Sequence, residues 1–203
     1  MHRRIGLGLL VFAFATSGLV QAQADPPASR LYEMATDGSS VAFERLTAMA
    51  EAGDAEAQLN LGWLYHDGWV VPQNSSLAVQ LFRRAADQSL ADAQFWLGWM
   101  YDLGEGVPKD PASAVAWFRK AAEQGDRDAQ YNLGLKYRDG SGAPKDLAAA
   151  YAWMTLAASQ GERFAEKSRN DLEKSLTPSQ IEEARKLAEE WKPKNNRHAP
   201  ERD

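Results

Sequence analysis

The chain has 203 residues, 44% of them hydrophobic and 25% charged, with a formal net charge of −5. That composition is ordinary for a globular protein, enough for one core or for an array of repeats. No cysteine is present, which excludes disulfides, thiolate nucleophiles and cysteine metal sites.

The first element is a leader. His2, Arg3 and Arg4 form a short basic region, followed by an apolar run from Ile5 to Val20 and the small-x-small triplet Ala22-Gln23-Ala24. The run falls short of the roughly 20 apolar residues that span a bilayer comfortably. The pattern therefore predicts a secretory signal over residues 1–24, with Val20-Gln21-Ala22 as a second cleavage site. With no cysteine after the run, a lipoprotein is excluded. Removal of residues 1–24 leaves 21 basic residues against 28 acidic ones, a net charge of −7. Such a chain repels phosphate backbones, so nucleic acid is not an expected partner. No second long apolar run follows, so no membrane insertion is expected once the signal is gone. The expected location is the periplasm, or outside the cell.

Residues 25–39 read as a linker, and DPPASR at its start as disordered. From residue 40 on, a period of 36 takes over. Ala57, Gln58, Leu61, Gly62 and Tyr65 return 36 and 72 residues later without an insertion, as do Gly68, Pro72, Ala78 and the pair Ala85-Ala86. Residues 40–54 align with the second half of a unit and read as a capping half-repeat helix. Three full units follow, at 55–90, 91–126 and 127–162. A fixed period of this length signals stacked units of secondary structure. Each unit reads as two helices. The first carries Ala57, Leu61 and Tyr65 on one face and stops at Gly68. The second starts at a cap, Asn74, Asp110 or Asp146, and closes at Ser89, Gly125 or Gly161. Residues 163–191 read as a partial repeat and a C-terminal capping helix. Thr177 and Gln180 form a capping box there, and Ile181, Ala184, Leu187, Ala188 and Trp191 an apolar face. Residues 192–203 read as a disordered tail.

Between Ala93 and Gly125 the chain nearly completes the pattern A-x-x-x-L-G-x-x-Y-x-x-G-x-G-V-P-x-D, then A-x-x-W-F-x-x-A-A-x-x-G. This resembles the Sel-like repeat, a relative of the tetratricopeptide repeat. The resemblance runs from about Val41 to Trp191. It implies an all-α fold, a right-handed α/α superhelix of antiparallel helix pairs. The first unit departs from the pattern, with Trp69 at the loop tip and Val70 in place of the second loop glycine, so its loop is expected to take another shape. A mid-helix glycine costs about 1 kcal/mol relative to alanine. Gly62, Gly98 and Gly134 are therefore read as close approaches between helices, facing the small pair Ala85-Ala86 and its copies.

A catalytic constellation is missing from the sequence. Once the leader is removed, His66 and His198 are the only histidines, and no histidine pair has zinc spacing. Neither Ser-x-x-Lys nor Gly-x-Ser-x-Gly occurs. Gly104-Glu105-Gly106 follows a helix and reads as a turn. The carboxylate pairs Glu182/Glu183 and Asp126/Asp128 read as solvated charges at helix starts. Some cysteine-rich relatives of this repeat are linked to β-lactam hydrolysis, and a cell-wall or β-lactam hydrolase is the competing reading. A chain without cysteine does not resemble that branch. Neither an enzyme nor a cofactor or metal is expected.

Tetratricopeptide-like proteins bind peptides or helices on the concave face lined by their first helices. By resemblance, the groove residues here are those out of phase with Ala57, Leu61 and Tyr65. They are Leu59, Phe95 and Tyr131; Trp63, Trp99 and Leu135; and His66, Asp102 and Arg138, flanked by Asn60, Trp96 and Asn132. Two apolar residues per unit exceed what a solvated face requires, and large aromatics suit hot-spot binding. The same aromatics can equally pack between neighbouring first helices as core; the sequence leaves both open. The expected function is docking of a protein or peptide partner by an exported scaffold.

Overall fold

The computed structural model describes residues 26–192. Among these residues are ten α-helices and no strand. They are α1 (Ala28–Thr36), α2 (Ser40–Glu51), α3 (Ala55–Asp67), α4 (Ser75–Asp87), α5 (Ala91–Leu103), α6 (Pro111–Glu123), α7 (Arg127–Asp139), α8 (Leu147–Ser159), α9 (Ala165–Glu173) and α10 (Pro178–Trp191). The leader and the segment 193–203 lie outside the described residues. Each helix packs on the next from α1 to α9, most closely within α3/α4, α5/α6 and α7/α8; α1 also reaches α3, and α10 packs on α8. The result is an α/α solenoid.

Local chemistry sets the helix ends. The side chains of Asp54, Asn74, Asp126 and Asp146 each accept a hydrogen bond from the backbone amide three residues on. Asp110 caps α6 through the amides of Ala112 and Ser113, with Pro111 at the first helical position. Thr177 and Gln180 complete a reciprocal capping box on α10. The helices α3, α5 and α7 end at Gly68, Gly104 and Gly140, at φ of +74°, +80° and +70°. The stop of α4 differs from that of α6: Ser89, at φ +66°, sits in the left-handed region where Gly125 sits one unit later.

The recurring helix glycines face a large side chain. A Cβ built on Gly62 would lie 2.6 Å from Phe82 Cε1, and one on Gly98 would lie 2.8 Å from Phe118 Cδ1. Both rings are fully buried. In the third unit Gly134 meets Met154 Cγ at 2.9 Å. This corrects the expectation that the glycines face Ala85-Ala86. Those alanines instead join the buried cluster that includes Ala93 and Leu97 of the next unit, where a small side chain lets successive helices close up.

The repeated glutamines tie unit to unit. Gln58, Gln94 and Gln130 are all buried. Their Nε2 atoms donate to the carbonyls of Ala50, Ala86 and Ala122 in the helix before. Their Oε1 atoms accept from Gln88, Gln124 and Gln160, the C-cap residues of the helix after. A buried amide has both donor and acceptor to satisfy, and this arrangement satisfies each.

Two sequence expectations are corrected at the N-terminal end. The segment 25–39, read as a linker, carries α1, with Ala28, Leu31 and Ala35 buried against Leu46, Ala57 and Leu61. This helix lacks a side-chain cap and runs out of register with the 36-residue period, so neither signal marked it. Residues 40–54 therefore act as the second helix of a complete pair. In the loop after α3, the substitution at Val70 has a structural consequence. Gly106 and Gly142 are left-handed, and a Cβ on them would lie 2.3 Å from the Ser75 carbonyl oxygen and 2.0 Å from that of Pro111. Among the described residues the only non-glycine with positive φ is Ser89, so Val70 does not follow that turn. Trp69 beside it is 82% exposed.

Candidate partner-docking face

The first helices α3, α5 and α7 place the predicted groove residues in one row, but to different depths. Phe95 is core: it is 8% exposed and packs on Phe118 with ring centroids 5.8 Å apart. The groove reading is corrected for that residue. Its ring has the neighbouring helix to fill, whereas Leu59 and Tyr131 at the same unit position stay half-buried. Trp63, Trp96 and Trp99 are also half-buried and pack against the core with part of each ring left in solvent. They form a continuous ladder. Ring centroids are 5.4 Å apart for His66 and Trp63, 4.2 Å for Trp63 and Trp96, and 6.2 Å for Trp96 and Trp99. Trp96, read as a flanking residue, is the centre of the ladder and joins α3 to α5.

The third unit is polar where the first two are aromatic. Tyr131 shares a 3.3 Å hydrogen bond with Ser168, and Asn132 Nδ2 donates to the Asp128 carbonyl at 2.8 Å. Leu135 packs against the buried cluster of Tyr151 and Met154. Arg138 donates to both carboxylate oxygens of Asp139, at 2.7 and 2.9 Å. That pairing holds the guanidinium above, and the carboxyl below, their ordinary ranges. Asp102 forms an ion pair with Lys136 across units. In the first unit His66 Nδ1 lies 2.9 Å from Asp67 Oδ1, and His66 Nε2 lies 3.3 Å from Glu105 Oε1, which also accepts from Ser75. Asn60 is half-buried, and its side chain has no hydrogen-bond partner among the described residues.

The acidic pairs differ from each other. Glu182 is held low by the hydrogen bond from Lys186 and by its charge. Asp126 is not a solvated charge: burial at the start of α7 pushes its carboxyl up to about 6, against the Ala129 amide that bonds to it and with added repulsion from Asp128 and Asp92. Among the described residues no cluster of three or more histidine, aspartate or glutamate side chains could hold a metal ion. None of the described helices is long and apolar enough to cross a membrane.

The Sel1 repeat pattern matches the chain three times, at residues 55–90, 91–126 and 127–162. The chain belongs to the Sel1 repeat family. No curated protein matches it. Solved structures of this repeat type are similar to the chain, two of them at 36% and 40% identity. One is c5321, a protective antigen of uropathogenic Escherichia coli with the same repeat fold, at 36% identity over 81% of this chain and a TM-score of 0.71. This chain spans only 37% of that protein's length. The other is a Sel1 repeat protein from Oxalobacter formigenes, at 40% identity over 64% of this chain and 97% of that one, with a TM-score of 0.59. Sel1 repeats generally form protein-interaction scaffolds.

Within the Sel1 units, sequence reasoning missed two residues that shape this face. Lys136 stands where the earlier units have buried Leu64 and Met100, and that break in an apolar series was the available signal. Glu105 lies inside a turn, and nothing in the sequence brings it to His66.

Proposed function

We propose that this Sel1 protein is an exported scaffold that docks a segment of a partner protein along the first-helix face. The observation that carries the reading is the ladder Trp63–Trp96–Trp99, half-buried on a frame fixed by capped helices and buried glutamines. Half-buried indoles held by their neighbours lose little side-chain freedom on binding, which favours contact residues of this kind. The polar third unit adds direction: an apolar stretch of the partner lies over α3 and α5, and a polar stretch over α7. Export rests on the leader pattern of residues 1–24 and places the partner in the periplasm or outside the cell.

The test is partner capture by Trp63→Ala/Trp99→Ala, with far-UV helicity measured on the same sample. Capture lost with helicity retained supports the docking face. Helicity lost together with capture makes both tryptophans core and removes the proposal's main residues.

A further inference from the structure

We propose a second site, independent of the docking face: a cavity of about 410 Å³ between α6, α7, α8 and α10 that takes the guanidinium of an arginine presented by a partner polypeptide. Its walls are aromatic. Trp153, 4% exposed, stacks on Trp191 with centroids 4.7 Å apart and planes 19° from parallel, and Tyr137 closes the side. The cations already there are engaged. The Arg119 guanidinium lies 5.9 Å over the Tyr137 ring and bonds to its hydroxyl. Lys192 Nζ bonds to both oxygens of Glu189, at 2.6 and 2.7 Å. Two carboxylates on the lining, Glu123 and Glu190, have no ionic or hydrogen-bonded partner among the described residues. Aromatic faces beside unpaired carboxylates attract an organic cation through ring quadrupole and charge together.

The repeat shows which group is missing. One unit earlier Trp117 occupies the position of Trp153, and the Lys120 ammonium lies 3.7 Å over its ring. At the position corresponding to Lys120, the third unit has Leu156, buried. The lysine that covers the indole one unit earlier is therefore lost at Trp153, which stacks on Trp191 instead, and Arg119 over Tyr137 is the cation that remains on that wall. A guanidinium suits the space better than an ammonium: it is planar, stacks on rings, and forks toward carboxylates. The protein uses that geometry outside the cavity at Arg83 over Tyr101, and on the cavity's own wall at Arg119 over Tyr137.

The probe is acetyl-Gly-Arg-Gly-amide, titrated into the full chain while the indole N–H signals of Trp153 and Trp191 are followed by NMR. Saturable shifts are expected with the arginine peptide and none with its uncharged citrulline analogue. Glu123→Gln/Glu190→Gln should weaken binding about tenfold without moving the melting temperature. Equal binding of the citrulline peptide, or of the arginine peptide to the double variant, overturns the site. Binding of free argininamide as tight as the peptide assigns the cavity to a soluble guanidinium compound and overturns the polypeptide partner. Absence of binding in the parent chain with binding restored by Arg197→Ser/Arg202→Ser makes the occupant this chain's own arginine, which also overturns it.

Discussion

Asp126→Asn should stabilise the protein at neutral pH, although it removes a helix-capping carboxylate. Burial pushes the Asp126 carboxyl up to about 6 from its ordinary 3.8. Between those values the folded chain binds a proton that the unfolded chain has lost. Stability attributable to this group is therefore highest below pH 4, falls as pH rises through that window, and is constant above it. A gap of about two pKa units corresponds to about 3 kcal/mol. Asparagine keeps the cap, since its side-chain oxygen can accept from the Ala129 amide at the same place. It forgoes the attraction between a carboxylate and the α7 N-terminus, about 0.3–1 kcal/mol. The net expectation is a gain of about 2 kcal/mol at pH 7 and a flatter stability profile between pH 4 and 7. The assay is urea unfolding of parent and variant at a series of pH values, read as the difference, so that the other carboxylates cancel. A variant less stable than the parent at pH 7, with the same pH slope, would refute the reasoning.

Two further predictions concern backbone and packing. Ser89→Gly should raise stability by about 0.5–1 kcal/mol, because the left-handed φ of +66° strains a side-chain-bearing residue, while glycine's larger unfolded entropy offsets part of the gain; thermal unfolding shows it as an upward shift of about 1–4 °C, and no shift means the turn is unstrained. Gly98→Ala gains about 1 kcal/mol of helix propensity but drives a methyl into the buried Phe118 ring and toward the Ala114 carbonyl at 3.3 Å. Overpacking of that kind costs about 1–3 kcal/mol, so a net loss is expected. Gly134→Ala should lose less, since the Met154 chain it meets can change rotamer more easily than a ring; equal losses in denaturant unfolding would argue against that contrast.

The six helices α3 to α8 were legible because a strict period carries their apolar positions and most of their caps and stops, α5 alone among them starting without a side-chain cap, at Leu90. The helix α1 was not, since its three buried apolar residues stand outside that period and after two prolines. Along the first-helix face the sequence placed residues in one row but misjudged their depth. Counting along a helix places Leu59, Phe95 and Tyr131 on one face, yet only Phe95 meets a facing ring large enough to bury it. Long-range pairs such as Asp102 with Lys136 and His66 with Glu105 depend on how units stack, which a period alone does not reveal.

The most direct test of the docking face is photocrosslinking in the native cell from a probe placed at Asn60, against the same probe at Gln80 and Arg83 on the second helix α4. The account predicts one discrete adduct from Asn60, absent from the other two positions and lost on Trp96→Ala in a chain that remains folded. Adducts of equal yield from all three positions, or an Asn60 adduct unchanged by Trp96→Ala, would contradict it.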